Sequence, residues 1–316
     1  MEALEALKRS IHVTAELQSL VKTMKILASL NIRQYEKAAH AVTSYNRAIE
    51  MGLHVALQTL PEPPLHASAR NIGAIIFGSD QGMCGPLNDV VVAHASRALA
   101  RLARRHATHS ILAVGQRAAA QLEASGKPVE PGLEVPGSLA AIAATVHELI
   151  RRIEEWRTQR GIEMVVLFYA RLVTGVFYRP RGIRLLPVDA AWIRSLKAKP
   201  WPSRVIPTSR MEPEPLFHSL IREYLFGSLF RALADSLASE NAARLASMQV
   251  AERNIEDRLA ALTSEFHQSR QAAVTSELLD IVSASEALAE RRRVTAFHSR
   301  PVESVSSVSG PPAPGR

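Results

Sequence analysis

The chain has 316 residues, enough for one full core or for two domains. Hydrophobic residues make up 47% and aromatics only 5%, so the apolar content is mostly Ala, Leu, Val and Ile, which favours helix; the single cysteine excludes an internal disulfide framework and fits a reducing compartment. The net charge of +8 sits in one segment, where nine basic residues between Arg171 and Arg210 face one acid, Asp189, a balance that suits nucleic acid, an anionic membrane surface or an acidic protein partner.

No run approaches the ~18 to 20 apolar residues of a membrane span. The opening MEALEALKRS lacks the apolar core of a signal peptide, so the expectation is a soluble, intracellular protein. From Met1 to Met51 there is neither Gly nor Pro, and the next stretch of that kind is Ser228 to Arg300. Both ends therefore read as long helices, with a separate compact domain between them. In the first helix Leu4, Leu7, Ile11, Leu17, Leu20, Met24, Leu27 and Leu30 recur mostly at steps of three and four, with a gap near Thr14, which makes a narrow seam. At 1.5 Å per residue that helix would be roughly 75 Å long, too long to bury its stripe on an ordinary globular core.

The middle, about residues 70–212, alternates. Ile72 to Phe77 reads as a buried strand, Leu87 to His106 as an amphipathic helix, Ser110 to Val114 as a second strand and Gln116 to Ala124 as a helix. A longer helix over Ser138 to Arg160 and a strand over Met164 to Phe168 follow, and Val173 to Val188 adds an edge hairpin limited by Pro180 and Pro187. Strand and helix alternating with short connections predict a mainly parallel α/β sheet of Rossmann-like type. Beyond it Leu245, Met248, Ile255, Leu259, Leu262, Phe266 and Ala273 form a second stripe. The two ends are expected to pair as an antiparallel coiled coil, with Gln18 and Glu252 near an impure seam that leaves surface for another partner. The resulting division is an N-terminal helix over 1–60, a central α/β domain over 70–212, a C-terminal helix over 213–290 and a tail over 291–316, disordered from its Pro, Ser and Gly content.

The stretch FGSDQGMCGPLN, Phe77 to Asn88, invites three readings: a phosphate cradle, a thiol site, or a turn. A Walker-type loop needs a Gly-Lys-Ser/Thr ending, and no lysine follows the glycines at 78, 82 and 85; the Gly-x-Gly-x-x-Gly spacing is absent too. Cys84 has no base at a spacing that suggests a dyad, with His94 and His106 further along. The structural reading is a tight strand-to-helix turn made possible by Gly82, Cys84 and Gly85. His106 and His109 lack a carboxylate or thiolate cluster, and Glu154 and Glu155 lie among arginines as a charged helix face. No catalytic residue, cofactor or metal site is expected.

Three separated stretches carry a resemblance. Ser79 to Asn88, SDQGMCGPLN, looks like the Ser-Asp-Arg-Gly-Leu-Cys-Gly-Gly-Leu-Asn signature of the gamma subunits of F-type ATP synthases, with Gln81 and Pro86 as departures. Leu237 to Asn254, LASENAARLASMQVAERN, follows that family's Ala-Ser-Glu-x-Ala-Ala-Arg-Met pattern, and Ser269 to Ser283, SRQAAVTSELLDIVS, is similar to its Ala-Arg-Gln-Ala-Ala-Ile-Thr-Lys-Glu-Leu, with Ser276 for the lysine. A looser match covers VKTM (Val21 to Met24) and ILASLN (Ile26 to Asn31), where Asn31 replaces a lysine.

The resemblance implies a non-catalytic rotor shaft inside a hexamer of alternating alpha and beta chains. Its α/β domain would be bound to the epsilon subunit and the membrane c-ring, peripherally, at the cytoplasmic face of the bacterial inner membrane. Ion flow, of protons or sodium, would turn the shaft and change nucleotide affinity in the beta chains. It also points to Lys22, Met24, Arg270, Gln271, Thr275 and Glu277 as partner contacts. The rival class is a basic coiled-coil protein that binds nucleic acid; the first reading expects none.

Overall fold

The computed structural model describes residues 2–60, 71–102, 108–174, 177–202, 204–205 and 207–298. In chain order these form α1 (Glu2–Thr59), β1 (Asn71–Phe77), α2 (Leu87–Leu102), β2 (Thr108–Val114), α3 (Gln116–Ala124), β3 (Glu130–Leu133), α4 (Leu139–Arg160), β4 (Ile162–Thr174), β5 (Phe177–Leu186), α5 (Ala190–Ala198) and α6 (Pro213–His298). Local chemistry sets several ends. Ser138 caps α4 by accepting from the Ala141 N–H at 3.3 Å, and Gly161 closes it in the left-handed conformation at φ 59°. Asp189 caps α5 through the Ala191 N–H at 2.9 Å. Pro213 opens α6, where a missing N–H costs nothing.

The chain divides into two compact units, Met1–Glu16 with Glu256–Arg316, and Leu17–Ile255. In the first, α1 half-buries Leu4, Leu7, Ile11 and Thr14, while α6 buries Leu262 and half-buries Leu259, Phe266, Ser269 and Ala273.

In the second unit α1 and α6 run antiparallel: Lys25 pairs with Glu252, Asn31 donates to Asn241 at 3.3 Å, and the Tyr45 hydroxyl donates to Glu223. The inward face of α1 is Gln18, Val21, Lys25, Ala28, Ile32, Tyr35, Ala39, Val42, Asn46, Ile49 and Leu53, all buried or half-buried. Steps of three and four alternate along it without a break, the period of a coiled-coil seam. This corrects the expected seam: Leu17, Leu20, Leu27 and Leu30 are 51 to 59% exposed, and Met24 is half-buried. The seam was hidden because small and polar residues occupy much of it. They bring the helices close: a Cβ on the buried Gly227 would lie 1.8 Å from Asn46 Oδ1. On α6 the expected stripe holds, with Met248 buried and Leu245 and Ile255 half-buried in this unit.

The sheet order is β3-β2-β1-β4-β5, parallel except for the antiparallel β4–β5 pair. Its two faces bury separate cores. Ile75, Phe77, Leu112, Val114, Val165 and Leu167 pack with α4, with Tyr35, Ala38 and Ala39 of α1, and with α6 from Leu225 to Ala238. Ile72, Ala74, Ile76, Ala113 and Phe168 pack with α2 and α3. Alternation along β1 is thus the period-2 rule for a strand covered on both sides.

Three elements differ from expectation. β3, Glu-Pro-Gly-Leu, has no strand propensity; it is held by parallel pairing to β2, and the Glu130 carboxylate accepts from Trp156 Nε1 at 3.1 Å and pairs with Arg160. α5 lies within the basic segment and docks Ile193 and Leu196 on Leu53, Leu57 and Phe217. The hairpin is longer than expected, with Pro180 opposite Ala170 on the edge strand β5, where a missing N–H is tolerated. The last helix runs to His298, past its expected end at 290, so the first eight residues of the expected tail over 291–316 are helical; the expected helix end at His106 and the rest of the tail, 299–316, lie outside the described residues.

Candidate functional site

The glycine loop after β1 is closed by its own side chains. The Ser79 N–H donates to Asn88 Oδ1 at 3.0 Å, Asn88 Nδ2 donates to Ser79 Oγ at 2.8 Å, and Ser79 Oγ donates to the Gln81 carbonyl at 2.9 Å. Cys84 Sγ lies 3.4 Å from Ser79 Oγ, and both residues are buried. Met83 and Gly85 adopt the left-handed conformation, with φ of 62° and 56°, and a Cβ on Gly85 would stand 3.2 Å from Ser247 Oγ of α6. Gly82 lies beside the Arg117 guanidinium, 3.5 Å from where its Cβ would be.

Asp80 ties the loop to backbone further along the chain. Its Oδ1 accepts from the Gln116 N–H at 2.9 Å, the first residue of α3, and its Oδ2 from the Val135 N–H at 2.7 Å. The N-terminus of α3 thus holds a carboxylate of the chain itself. Sequence reading missed this, because the capped helix lies 36 residues downstream and no local pattern announces it.

The residues expected to meet a partner fall in both units. Arg270, Gln271, Thr275 and Glu277 are exposed on α6 in the first, where Ala273 is half-buried and Ala272 exposed. Thr275 Oγ1 donates to the Gln271 carbonyl at 2.8 Å, so this hydroxyl spends its proton on its own helix and keeps only acceptor capacity. In the second unit Lys22 is exposed and Met24 half-buried on α1. Around them Leu17, Leu20, Ile26, Leu27 and Leu30 form an exposed apolar strip, its four leucines being ones that the expected seam buries.

A polar pair also lies in the second unit, on the inner side of α6. Arg244 donates to Glu240 Oε1 at 2.6 Å, with side chains 12% and 8% exposed, and among the described residues neither Glu240 Oε2 nor Arg244 Nε has a hydrogen-bond partner. Burial raises the Glu240 pKa above the usual carboxylate range against the pull of Arg244, and the Asp80 charge adds to the rise. Both residues stand in the Ala-Ser-Glu-x-Ala-Ala-Arg stretch.

In the second unit, stretches of the two terminal helices paired in opposite directions with an α/β sheet packed on them define a coiled-coil α/β protein. A family model described as ATP synthase matches residues 3–288. The ATP synthase gamma chain of Anaeromyxobacter sp. (strain Fw109-5) is 27% identical over 300 residues, covering 91% of this chain and 100% of its own length. That of Thermobifida fusca (strain YX) is 25% identical over 297 residues, covering 90% and 96%. The fold is similar to a chain of the Euglena gracilis mitochondrial ATP synthase rotor in rotational state 1, with a TM-score of 0.56, 14% identity and coverage of 86% and 99%. A chain of the OSCP/F1/c-ring assembly of the same organism gives 0.59, 14%, 97% and 99%. The chain belongs to the ATP synthase family, among its gamma chains, as a non-catalytic subunit of the central stalk. The nucleic-acid alternative finds no support in these comparisons.

Proposed function

We propose that the chain turns as the shaft of a rotary F-type ATP synthase, coupling ion-driven rotation of a membrane ring to changes of nucleotide affinity in the catalytic beta chains. The observation that carries this is the exposed apolar strip on α1: a coiled coil that leaves Leu17, Leu20, Ile26, Leu27 and Leu30 in water is built to be enclosed by another protein. The alpha/beta hexamer encloses the shaft, and the membrane ring and epsilon subunit bind the α/β domain. No helix of the described residues is long and apolar enough to cross a membrane, so attachment runs through the complex. The chain works at the cytoplasmic face of the bacterial inner membrane.

Within this reading Lys22, Met24, Arg270, Gln271, Thr275 and Glu277 touch the beta chains, while the turn at Gly82, Cys84 and Gly85 shapes the domain. Mild affinity purification tests the assignment. Co-purification of the two nucleotide-binding chains and a ring subunit is expected; recovery of nucleic acid with no such chains would overturn it. Replacing Arg270 and Gln271 together with alanine preserves helix propensity and should lower the ions pumped per ATP in the assembled complex. Unchanged pumping with normal assembly removes this face from torque transfer.

A further inference from the structure

A cleft of about 600 Å³ lies entirely within the second unit, and five elements each contribute one cation to its wall: Arg47 from α1, Arg171 from β4, Arg181 from β5, Lys199 just past α5 and Arg231 from α6. Glu50 is the only carboxylate among the described lining residues. Among the described residues, Arg171 alone of these five has a carboxylate within 4 Å, Asp235 Oδ2 at 3.6 Å. A surface that merely solvated its charges would scatter them or pair them. Here residues distant in sequence are brought to one concavity, five cations against two carboxylates, Glu50 in the wall and Asp235 beside it, whose charge acts on Arg171, Arg181 and Arg231, and the remaining excess is positive.

The volume falls in the range of small-ligand sites, roughly 300 to 1,000 Å³. Four of the cations are arginines on the long helices or the sheet, with Arg171 at 3.6 Å from Asp235 and Arg181 beside the buried Tyr169. Guanidinium forks match the paired oxygens of a phosphate.

We propose that this cleft binds a phosphoanion, either a free polyphosphate or the phosphate of a lipid headgroup, at a site separate from the surfaces that meet the hexamer. The inference does not depend on the rotor assignment. It gives one role to Arg171, Arg181 and Lys199 of the basic segment together with Arg47 and Arg231 of the two long helices.

The test uses the purified full chain. Sodium tripolyphosphate should raise the unfolding temperature saturably, beyond the effect of sodium chloride at equal ionic strength. Arg47→Gln and Arg181→Gln should each weaken tripolyphosphate binding about tenfold, the worth of a charge-assisted bond. Arg194→Gln, the same charge change on α5 outside the cleft, should leave it intact. Sedimentation with phosphatidylcholine vesicles, with and without phosphatidylglycerol, separates the sources: capture by the anionic vesicles that tripolyphosphate reverses assigns the headgroup, and tripolyphosphate binding without capture assigns a free anion. The proposal falls if sodium chloride reproduces the shift, if Arg194→Gln costs as much as Arg181→Gln, or if polyglutamate binds at the cleft and tripolyphosphate does not.

Discussion

Replacing Arg244 with methionine should cost far more stability than the small size of the change suggests. Arg244 and Glu240 form an ion pair one helical turn apart, with side chains 12% and 8% exposed. Removing one partner of a buried pair leaves an uncompensated charge, at a cost of about 3–5 kcal/mol, or two to three and a half orders of magnitude in the folded-to-unfolded ratio. Replacing both charges, as Glu240→Gln with Arg244→Met, should recover all but ~1 kcal/mol of that loss, because no bare charge remains in the core.

The pH dependence has a definite sign. Burial places the folded pKa of Glu240 above its unfolded value, with the Asp80 charge adding to the rise and Arg244 opposing it. Its contribution to stability is therefore complete below the ordinary carboxylate range and is lost as pH rises through the folded value. Taking away Arg244 moves that folded value further up, so the loss extends toward neutral pH. Tyr35, the facing titratable group on α1, keeps its proton throughout, since burial first and the Glu240 charge second raise its hydroxyl above the ordinary tyrosine value. Urea unfolding of the full chain, followed by circular dichroism, should show a larger penalty for Arg244→Met near pH 8 than near pH 5. Equal penalties at both pH values, or a double variant no more stable than the single one, would refute the reasoning.

Other consequences are simpler. Gly227→Ala sets a methyl 1.8 Å from Asn46 Oδ1 and should destabilise by about 1–3 kcal/mol; adding Asn46→Ala should return most of it, as read by thermal unfolding. Asp80→Ala strips the acceptor from the Gln116 and Val135 N–H groups and should cost about 1–3 kcal/mol, as read by urea unfolding. Phosphate in excess should fail to rescue Asp80→Ala if the carboxylate serves only as an internal cap; rescue would show that the turn accepts an external anion.

The strands of the parallel core were legible because each is an apolar run bounded by turn residues, and α4 because Ser138 and Gly161 mark its ends. β3 was not, since its existence depends on a vacant edge of β2 and on Glu130 reaching Trp156 and Arg160, all distant in sequence. The glycine loop could be recognised as a turn, but its anchor could not, because Asp80 bonds to backbone that arrives 36 and 55 residues later. The cation cleft was half legible. The basic segment stood out in composition, while Arg47 and Arg231 join it only through the packing of α1 and α6.

The α1 seam is where hydrophobic pattern misled, and the error bears on mechanism. Leucine normally marks the buried stripe, yet here Val21, Ala28, Tyr35 and Ala39 are inside and Leu17, Leu20, Leu27 and Leu30 are out. Fully burying one leucine contributes about 1.5–3 kcal/mol, so leaving four in water is a large stability forgone unless an enclosing protein supplies the burial. Apolar contact has no preferred direction; in the proposed shaft it can hold the helix in a sleeve while leaving rotation free. Directional bonds from side chains such as Arg270, Gln271 and Glu277 would instead set angular positions. Leu20→Met should thus leave both assembly and pumping per ATP unchanged, whereas Leu20→Asp with Leu27→Asp should reduce recovery of the hexamer with the shaft and leave the unfolding of the isolated chain within ~0.5 kcal/mol of the parent, as for exposed sites. Loss of stability in the isolated chain would mean that these leucines support the fold, and the division between sliding and registering contacts would fail with it.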